Sequence, residues 1–263
     1  MIWLALSLLG IAVGCLGTLI GAGGGFLLMP VLVLMYPDES PATLASISLA
    51  VVFFNALSGS IGYAIQKKID YRAGWLFIAL GVPGAVLGAF VTAHVPRPVF
   101  DLWLGTLLII VSVYLLLAGA RRGGEGAGEI DGRESVPWRR TRGGLLSFVV
   151  GFISSLLGIG GGIIHVPILT YLLRFPVHIA AATSHFVLAA TALAGTIVHI
   201  CTGEFHTGHR RTAALAVGVV IGAQAGARLA KKTPPGLILR ALAVSLIVVG
   251  VRVVYLAIHI KTA

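Results

Sequence analysis

The stretch GCLGTLIGAGGGFLLMP at Gly14–Pro30 returns 137 positions later as GFISSLLGIGGGIIHVP at Gly151–Pro167. Seven of the 17 positions are identical: Gly14, Leu19, Gly21, Gly23, Gly24, Gly25 and Pro30 match Gly151, Leu156, Gly158, Gly160, Gly161, Gly162 and Pro167. Shared apolar composition alone would not hold glycine and proline in register. Glycine this dense is unfavourable inside a helix. Each cluster stands between a long apolar piece and a short one, which predicts an unwound turn in both places. Paired interruptions in the two halves of a repeat are the sequence pointer to a transporter binding site.

The register extends beyond these stretches. At an offset of 136, Ser48 meets Ser184 and Gly59 meets Gly195. At 138, Gly84, Ala85, Gly88 and Ala89 meet Gly222, Ala223, Gly226 and Ala227, and Pro96 meets Pro234. Ten apolar segments fill the chain, at roughly 2–20, 24–36, 43–66, 74–93, 98–118, 143–157, 160–174, 178–202, 212–230 and 237–258. A membrane span needs about 20 residues, so the second and seventh are short. Residues 119–142 are the one long polar stretch, Gly-rich and charged, and read as a flexible cytoplasmic linker. The division is an N-terminal membrane repeat at 1–118, the linker at 119–142 and a C-terminal membrane repeat at 143–263.

Composition fixes the class. Of 263 residues, 57% are hydrophobic and only 11% are charged. A soluble domain carries about 25% charge, so a cytosolic enzyme and a disordered chain are both excluded. The segments are too long and continuous for barrel strands, which alternate over about ten residues. Cys15 and Cys201 lie in apolar runs and are expected to be buried small hydrophobes, not a disulfide framework. The first segment starts at Met1-Ile2-Trp3 without a basic leader and reads as retained. Net charge is +10, and the basic residues sit mainly between segments, as in cytoplasmic loops. Nucleic acid is therefore not an expected partner.

Basic-residue bias sets orientation. The linker, Lys67, Lys68 and Arg72 go inside, while Asp38, Glu39 and Arg97 go outside. If the first two segments of each half form a hairpin with no net crossing, each half crosses an odd number of times. The second half is then inverted. The arrangement leaves Arg210 and Arg211 outside, which is its least comfortable feature. The expected fold is an all-α polytopic membrane protein of two inverted homologous repeats. Each repeat has a Gly-broken helical hairpin plus three transmembrane helices, in a bacterial inner membrane.

The candidate site residues follow from the breaks. Gly23, Gly24 and Gly25, with Gly160, Gly161 and Gly162, permit close backbone approach. The free N–H groups and positive dipole end of each following half-helix can hold an anion. The competing reading is tight small-residue helix packing. No carboxylate is placed mid-membrane: eight of the nine acids fall in loops, and Asp101 starts a segment. Cation transporters commonly use intramembrane acids, so an anion is the natural cargo. His165 sits three residues after Gly162, where the first half has Leu28. It reads as a substrate or proton group, or as a packing histidine. Ser48 and Ser184 are in register, and His185 adjoins Ser184 where the first half has Leu49. Gln224 and Arg228 share a helical face. Asn55, matched by Thr191, and Thr18, matched by Ser155, are minor candidates. A transition-metal cation carried by His165, His185 and His199 is the alternative. Neither a resident metal or cofactor nor any catalytic residue is expected, since no G-x-S-x-G or H-E-x-x-H motif is present.

The paired Gly-x-Gly-Gly-Gly segments at Gly21–Gly25 and Gly158–Gly162, with Pro30 and Pro167, Ala182-Thr183-Ser184 and the stretch from Gly222 to Ala230, resemble the TauE/SafE family of sulfite and organosulfonate exporters. The resemblance covers nearly the whole chain. It implies a transporter of small sulfur oxyanions or sulfonates, and it suggests the glycine residues with Gln224 and Arg228 as site candidates. The first half departs from the second at Leu28, Leu49 and Phe90, opposite His165, His185 and Arg228, so the site is expected to be lopsided. The expected partners are a small anion such as sulfite or sulfoacetate and the lipid bilayer. A homodimer is compatible with the sequence but not decided by it. Export suits the inside-negative potential, which expels anions at about 2.3 kcal/mol per charge per 100 mV.

Overall fold

A computed structural model describes residues 2–121, 137–173, 175–205, 208–229 and 235–259. Most of the expected linker, 122–136, lies outside the described residues, as do Arg174, His206, Lys231, Lys232 and Lys261. Every regular element described is helical: α1 (Ile2–Ile20), α2 (Gly25–Met35), α3 (Pro41–Ile65), α4 (Tyr71–Thr92), α5 (Arg97–Arg121), α6 (Pro137–Leu157), α7 (Gly162–Pro167), α8 (Val177–Cys201), α9 (His209–Leu229) and α10 (Pro235–His259). A five-residue π-helical turn, Ile168–Leu172, continues α7. Among the described residues six helices are long and apolar enough to cross a membrane: α1, α3, α4, α5, α8 and α9. A helix is the element that satisfies its own backbone in hydrocarbon.

Local chemistry sets several boundaries. Ser40 caps α3 by accepting from the Thr43 N–H, with Pro41 in the first turn. Asp70 caps α4 by accepting from the Ala73 N–H. Helix α6 starts at Pro137, inside the stretch read as linker, because proline at a first helical position fits the turn and the basic residues after it tolerate helix. The cysteines depart from expectation. Cys15 is half-buried and Cys201 is exposed at the last residue of α8, so neither belongs to the core.

Glycine stripes decide which helices pair. A methyl group on Gly218, Gly222 or Gly226 of α9 would overlap the backbone of Ser7, Ile11 or Cys15 in α1. In the same way Gly84 and Gly88 of α4 rest on the backbone of Phe148 and Phe152 in α6. Close approach of backbones over small residues is how helices associate where lipid removes the hydrophobic drive. Both pairs join one half of the chain to the other, and in both the partners run in the same direction. Helices α3 and α8 cross antiparallel: Gly59 faces His185, Gly195 faces Leu49, and the Ser46 hydroxyl donates to the Glu204 carbonyl at 3.5 Å. Helices α5 and α10 meet at Gly105 and Gly250. The main hydrophobic core accordingly draws on both halves, from Leu6, Phe26 and Leu104 to Ile163, Leu215 and Val253.

One end of the bundle is tied by ion pairs. The Arg97 Nε donates to both Asp101 carboxylate oxygens at 2.9 Å, and its terminal nitrogens donate to the carbonyls of Val33 (3.0 Å), Tyr36 (3.4 Å) and Glu39 (2.5 Å). A cation on the last carbonyls of α2 suits that helix end. Arg211 pairs with Glu39 at 2.8 Å and lies 4.0 Å over the Tyr36 ring. Glu39, Arg97 and Arg211 therefore share one end. At the other, the Asp70 N–H donates to Thr183 and Gln66 reaches the Ala227 carbonyl.

Candidate functional site

Both glycine clusters are true breaks. In the first, Gly21, Gly23 and Gly24 have φ of 81°, 77° and 77°. In the second, Gly158, Gly160 and Gly161 have φ of 64°, 69° and 24°. Side-chain-bearing residues rarely adopt this backbone region. The breaks lie against each other. A Cβ on Gly162 would stand 2.7 Å from the Ala22 Cα, and one on Gly25 would stand 2.7 Å from the Ile159 carbonyl carbon. Among the described residues, the N–H groups of Gly24, Gly25 and Phe26 in the first break have no hydrogen-bond partner, nor do those of Gly160, Gly161 and Ile163 in the second. These are the orphan donors that open a helix.

Each break is supported by the opposite half. Gly158 and Gly160 of the second rest on Ala45 and Val52 of α3, and the Ser48 hydroxyl donates to the Gly158 carbonyl at 2.5 Å. Gly21 and Gly23 of the first rest on Ala181 and Leu188 of α8. The matching hydroxyl, Ser184, is fully buried and its Oγ has no partner.

The two breaks carry different side chains. His165 is 4% exposed, in the first turn of α7, with its ring edge-on to Phe77 at 5.5 Å. It lines a cavity with Ser147, Ser154, Gly161, Gly162 and Thr191. The cavity holds about 10 Å³, room for one water-sized molecule. Ser147 donates to the Phe77 carbonyl at 2.8 Å, and Thr191 turns to the carbonyls of Val187 and Leu188 in its own helix. At the corresponding place in the first half, Leu28 is fully buried. His185 is also fully buried and meets Tyr63 ring-to-edge at 5.6 Å. Neither of its ring nitrogens has a hydrogen-bond partner.

Gly23–Gly25, Gly160–Gly162, Ser48, His165, Ser184 and His185 are thus all buried around the two breaks. Two candidates stand elsewhere. Gln224 donates to the Ser58 carbonyl and hydroxyl at 2.8 and 2.9 Å, joining α9 to α3. Arg228 is exposed near the end of α9. Among the described residues, no group of three or more His, Cys, Asp or Glu could hold a metal ion. Ser147 and Ser154 were not among the sequence candidates. Their seven-residue spacing puts both on one face of α6, the only signal the sequence offers for them.

Apolar helices that cross the bilayer several times, two interrupted hairpins and buried polar groups gathered at the breaks define a multi-pass membrane transporter. The comparisons place it more narrowly. The sequence profile of the Sulfite exporter TauE/SafE family matches residues 6–253, and the chain belongs to that family. It is 30% identical to the probable membrane transporter protein YunE of Bacillus subtilis, over 97% of this chain and 98% of that protein. A probable membrane transporter protein of Methanocaldococcus jannaschii is 31% identical over 74% of this chain and 71% of its own length. YdhB of Bacillus subtilis, also a probable membrane transporter protein, is 25% identical over 89% and 91%. No solved structure matches the chain significantly.

Proposed function

We propose that the protein exports a small sulfur oxyanion or organosulfonate, of the size of sulfite or sulfoacetate, by alternating access at its glycine breaks. One observation carries the reading: the second break gathers His165, Ser154, Gly161 and Gly162 around a single cavity. Unpartnered N–H groups at that break favour negative charge. Among the described residues every carboxylate is near a helix end or in a loop, so none opposes an anion there.

The cavity is smaller than any such anion, so entry requires the helices around it to part. The packing suggests which bodies move. Helices α1, α3 and α9 form one group and α4, α6 and α8 the other, and the two exchange under an inverted repeat. The opposed directions of α1 and α6, and of α3 and α8, support that inversion. Cysteines at Lys67 and Glu204, which follow corresponding helices of the two repeats, are then expected to react with impermeant reagents from opposite sides of the membrane. Reaction from the same side refutes the inversion.

The functional test is binding and flux with purified protein in liposomes, using sulfite, sulfoacetate, taurine and sulfate. Sulfite or sulfoacetate is expected to bind and to leave faster under an inside-negative potential. Absence of binding by every oxyanion, or metal-dependent protection of His165, His185 and His199 from modification, overturns the reading.

A further inference from the structure

We infer that Asn55, held in place by Thr18, is a side-chain donor of an anion site at the start of α2, in the first glycine break. The inference rests on the oxyanion reading and adds a second station to it. Helix α2 has 11 residues and opens at Gly24, whose left-handed backbone (φ 77°) leaves that end without a side-chain cap. The N–H groups of Gly24, Gly25 and Phe26 are unpartnered among the described residues. Such an end attracts negative charge but is not by itself a site.

Asn55 supplies the independent observation. It lies on α3 with no exposure, and its Nδ2 has no hydrogen-bond partner. The Nδ2 stands 3.5 Å from the position of a Cβ on Gly24. The Thr18 hydroxyl donates to Asn55 Oδ1 at 3.1 Å, which fixes the amide with its NH₂ toward the helix start. Thr18 is itself fully buried, and its carbonyl accepts from the Tyr63 hydroxyl at 2.8 Å. An unpaired buried amide costs about 1–3 kcal/mol. An oxyanion that accepts from Asn55 Nδ2 and the α2 N–H groups removes that cost. The carbonyls of Val13 and Ile159 lie against the positions of a Cβ on Gly24 and on Gly25, and neither accepts a hydrogen bond from these donors.

The second break does not repeat this device. Its counterpart of Asn55 is Thr191, whose hydroxyl is turned to its own helix. Its counterpart of Thr18 is Ser155, whose Oγ has no partner. The two breaks therefore offer an anion different donors: a held amide at the first, and His165 with Ser154 at the second. An anion handed from one to the other would cross the centre of the protein without meeting a carboxylate.

The test is calorimetric titration of the full-length protein with sulfite and sulfoacetate, alongside thermal unfolding without ligand. Asn55→Asp replaces a donor by a like charge, and binding is expected to weaken by about 100-fold or more. Asp can still cap α2, so the ligand-free Tm is expected to hold or rise. Asn55→Thr installs the residue of the second half, a change the repeat already accommodates, and is expected to weaken binding about 10-fold. Wild-type affinity in either variant overturns the Asn55 site. If His165→Ala abolishes binding while Asn55→Asp and Asn55→Thr bind as wild type, the second break alone holds the anion, and the transport reading survives without this site. If the wild type binds neither anion, both fall together.

Discussion

The two glycine breaks share a backbone and differ in almost every polar side chain near them. At the second, Ser48 closes on the Gly158 carbonyl and a cavity opens beside His165. At the first, Ser184 finds no partner, Leu28 fills the place of His165, and Asn55 and His185 stand with unpaired nitrogens. The two turns match in sequence, while the side chains that α3 and α8 bring to them differ. Each helix acts on the other half's turn, so a change in one repeat is felt in the other.

The largest effect is expected from crowding the turns. Gly162→Leu would drive a side chain into the Ala22 backbone, while Gly161→Leu meets the movable side chains of Val150 and Ser154. Gly162→Leu is expected to cost about 3 kcal/mol or more and to remove the monodisperse peak in size-exclusion chromatography. Gly161→Leu puts a side chain on left-handed backbone, so it is expected to cost about 1–2 kcal/mol, less than Gly162→Leu, and to give folded protein in lower yield with its cavity filled and transport lost. Equal yields of the two would show that the breaks do not touch as described.

The next largest effect is expected from exchanging His165 and Leu28. His165→Leu is expected to lower sulfite or sulfoacetate flux at least ~10-fold, the scale of one lost hydrogen bond to an anion. Adding Leu28→His to that variant asks whether the first break can take over. Recovered flux would mean that position, not the surrounding serines, sets the asymmetry. Smaller still is the serine pair. Ser48→Ala loses a buried hydrogen bond and is expected to cost about 1 kcal/mol in thermal unfolding, whereas Ser184→Ala removes an unsatisfied hydroxyl and is expected to cost nothing or to stabilise. Matching losses would erase the difference between the turns. The smallest effect belongs to Glu39→Gln. The Arg211–Glu39 side chains are 26% and 25% exposed, so the loss is expected near 0.2–1 kcal/mol and should fade as salt is raised during unfolding.

Much of this was legible in the sequence, because glycine density and apolar length have local causes. The positions of both breaks, the short α2 and α7, and the polar bias toward the second half at His165 all follow from residues read in order. Which helix meets which is a property of distant residues. That Ser48 serves Gly158, 110 positions away, is invisible until α3 and α8 cross. Gln224 looked available for a substrate because its partner, Ser58, lies 166 positions away. Serine on an apolar helix marks nothing in a sequence until a cavity forms over it, as it does at Ser147 and Ser154. The π-helical turn after Pro167 has no marker in composition, since α2 runs through Pro30 without one.

The exchange of helices between halves also bears on biogenesis. The glycine face of α1 is completed by α9, which begins only at His209, and that of α6 by α4. When the first five helices leave the ribosome, α1 touches α3 through Thr18 but lacks α9, and its small-residue groove faces lipid or a chaperone. The N-terminal repeat is therefore unfinished on its own. Assembly of this protein waits for the last fifth of the chain, and a truncation before α9 is expected to be cleared by membrane proteases.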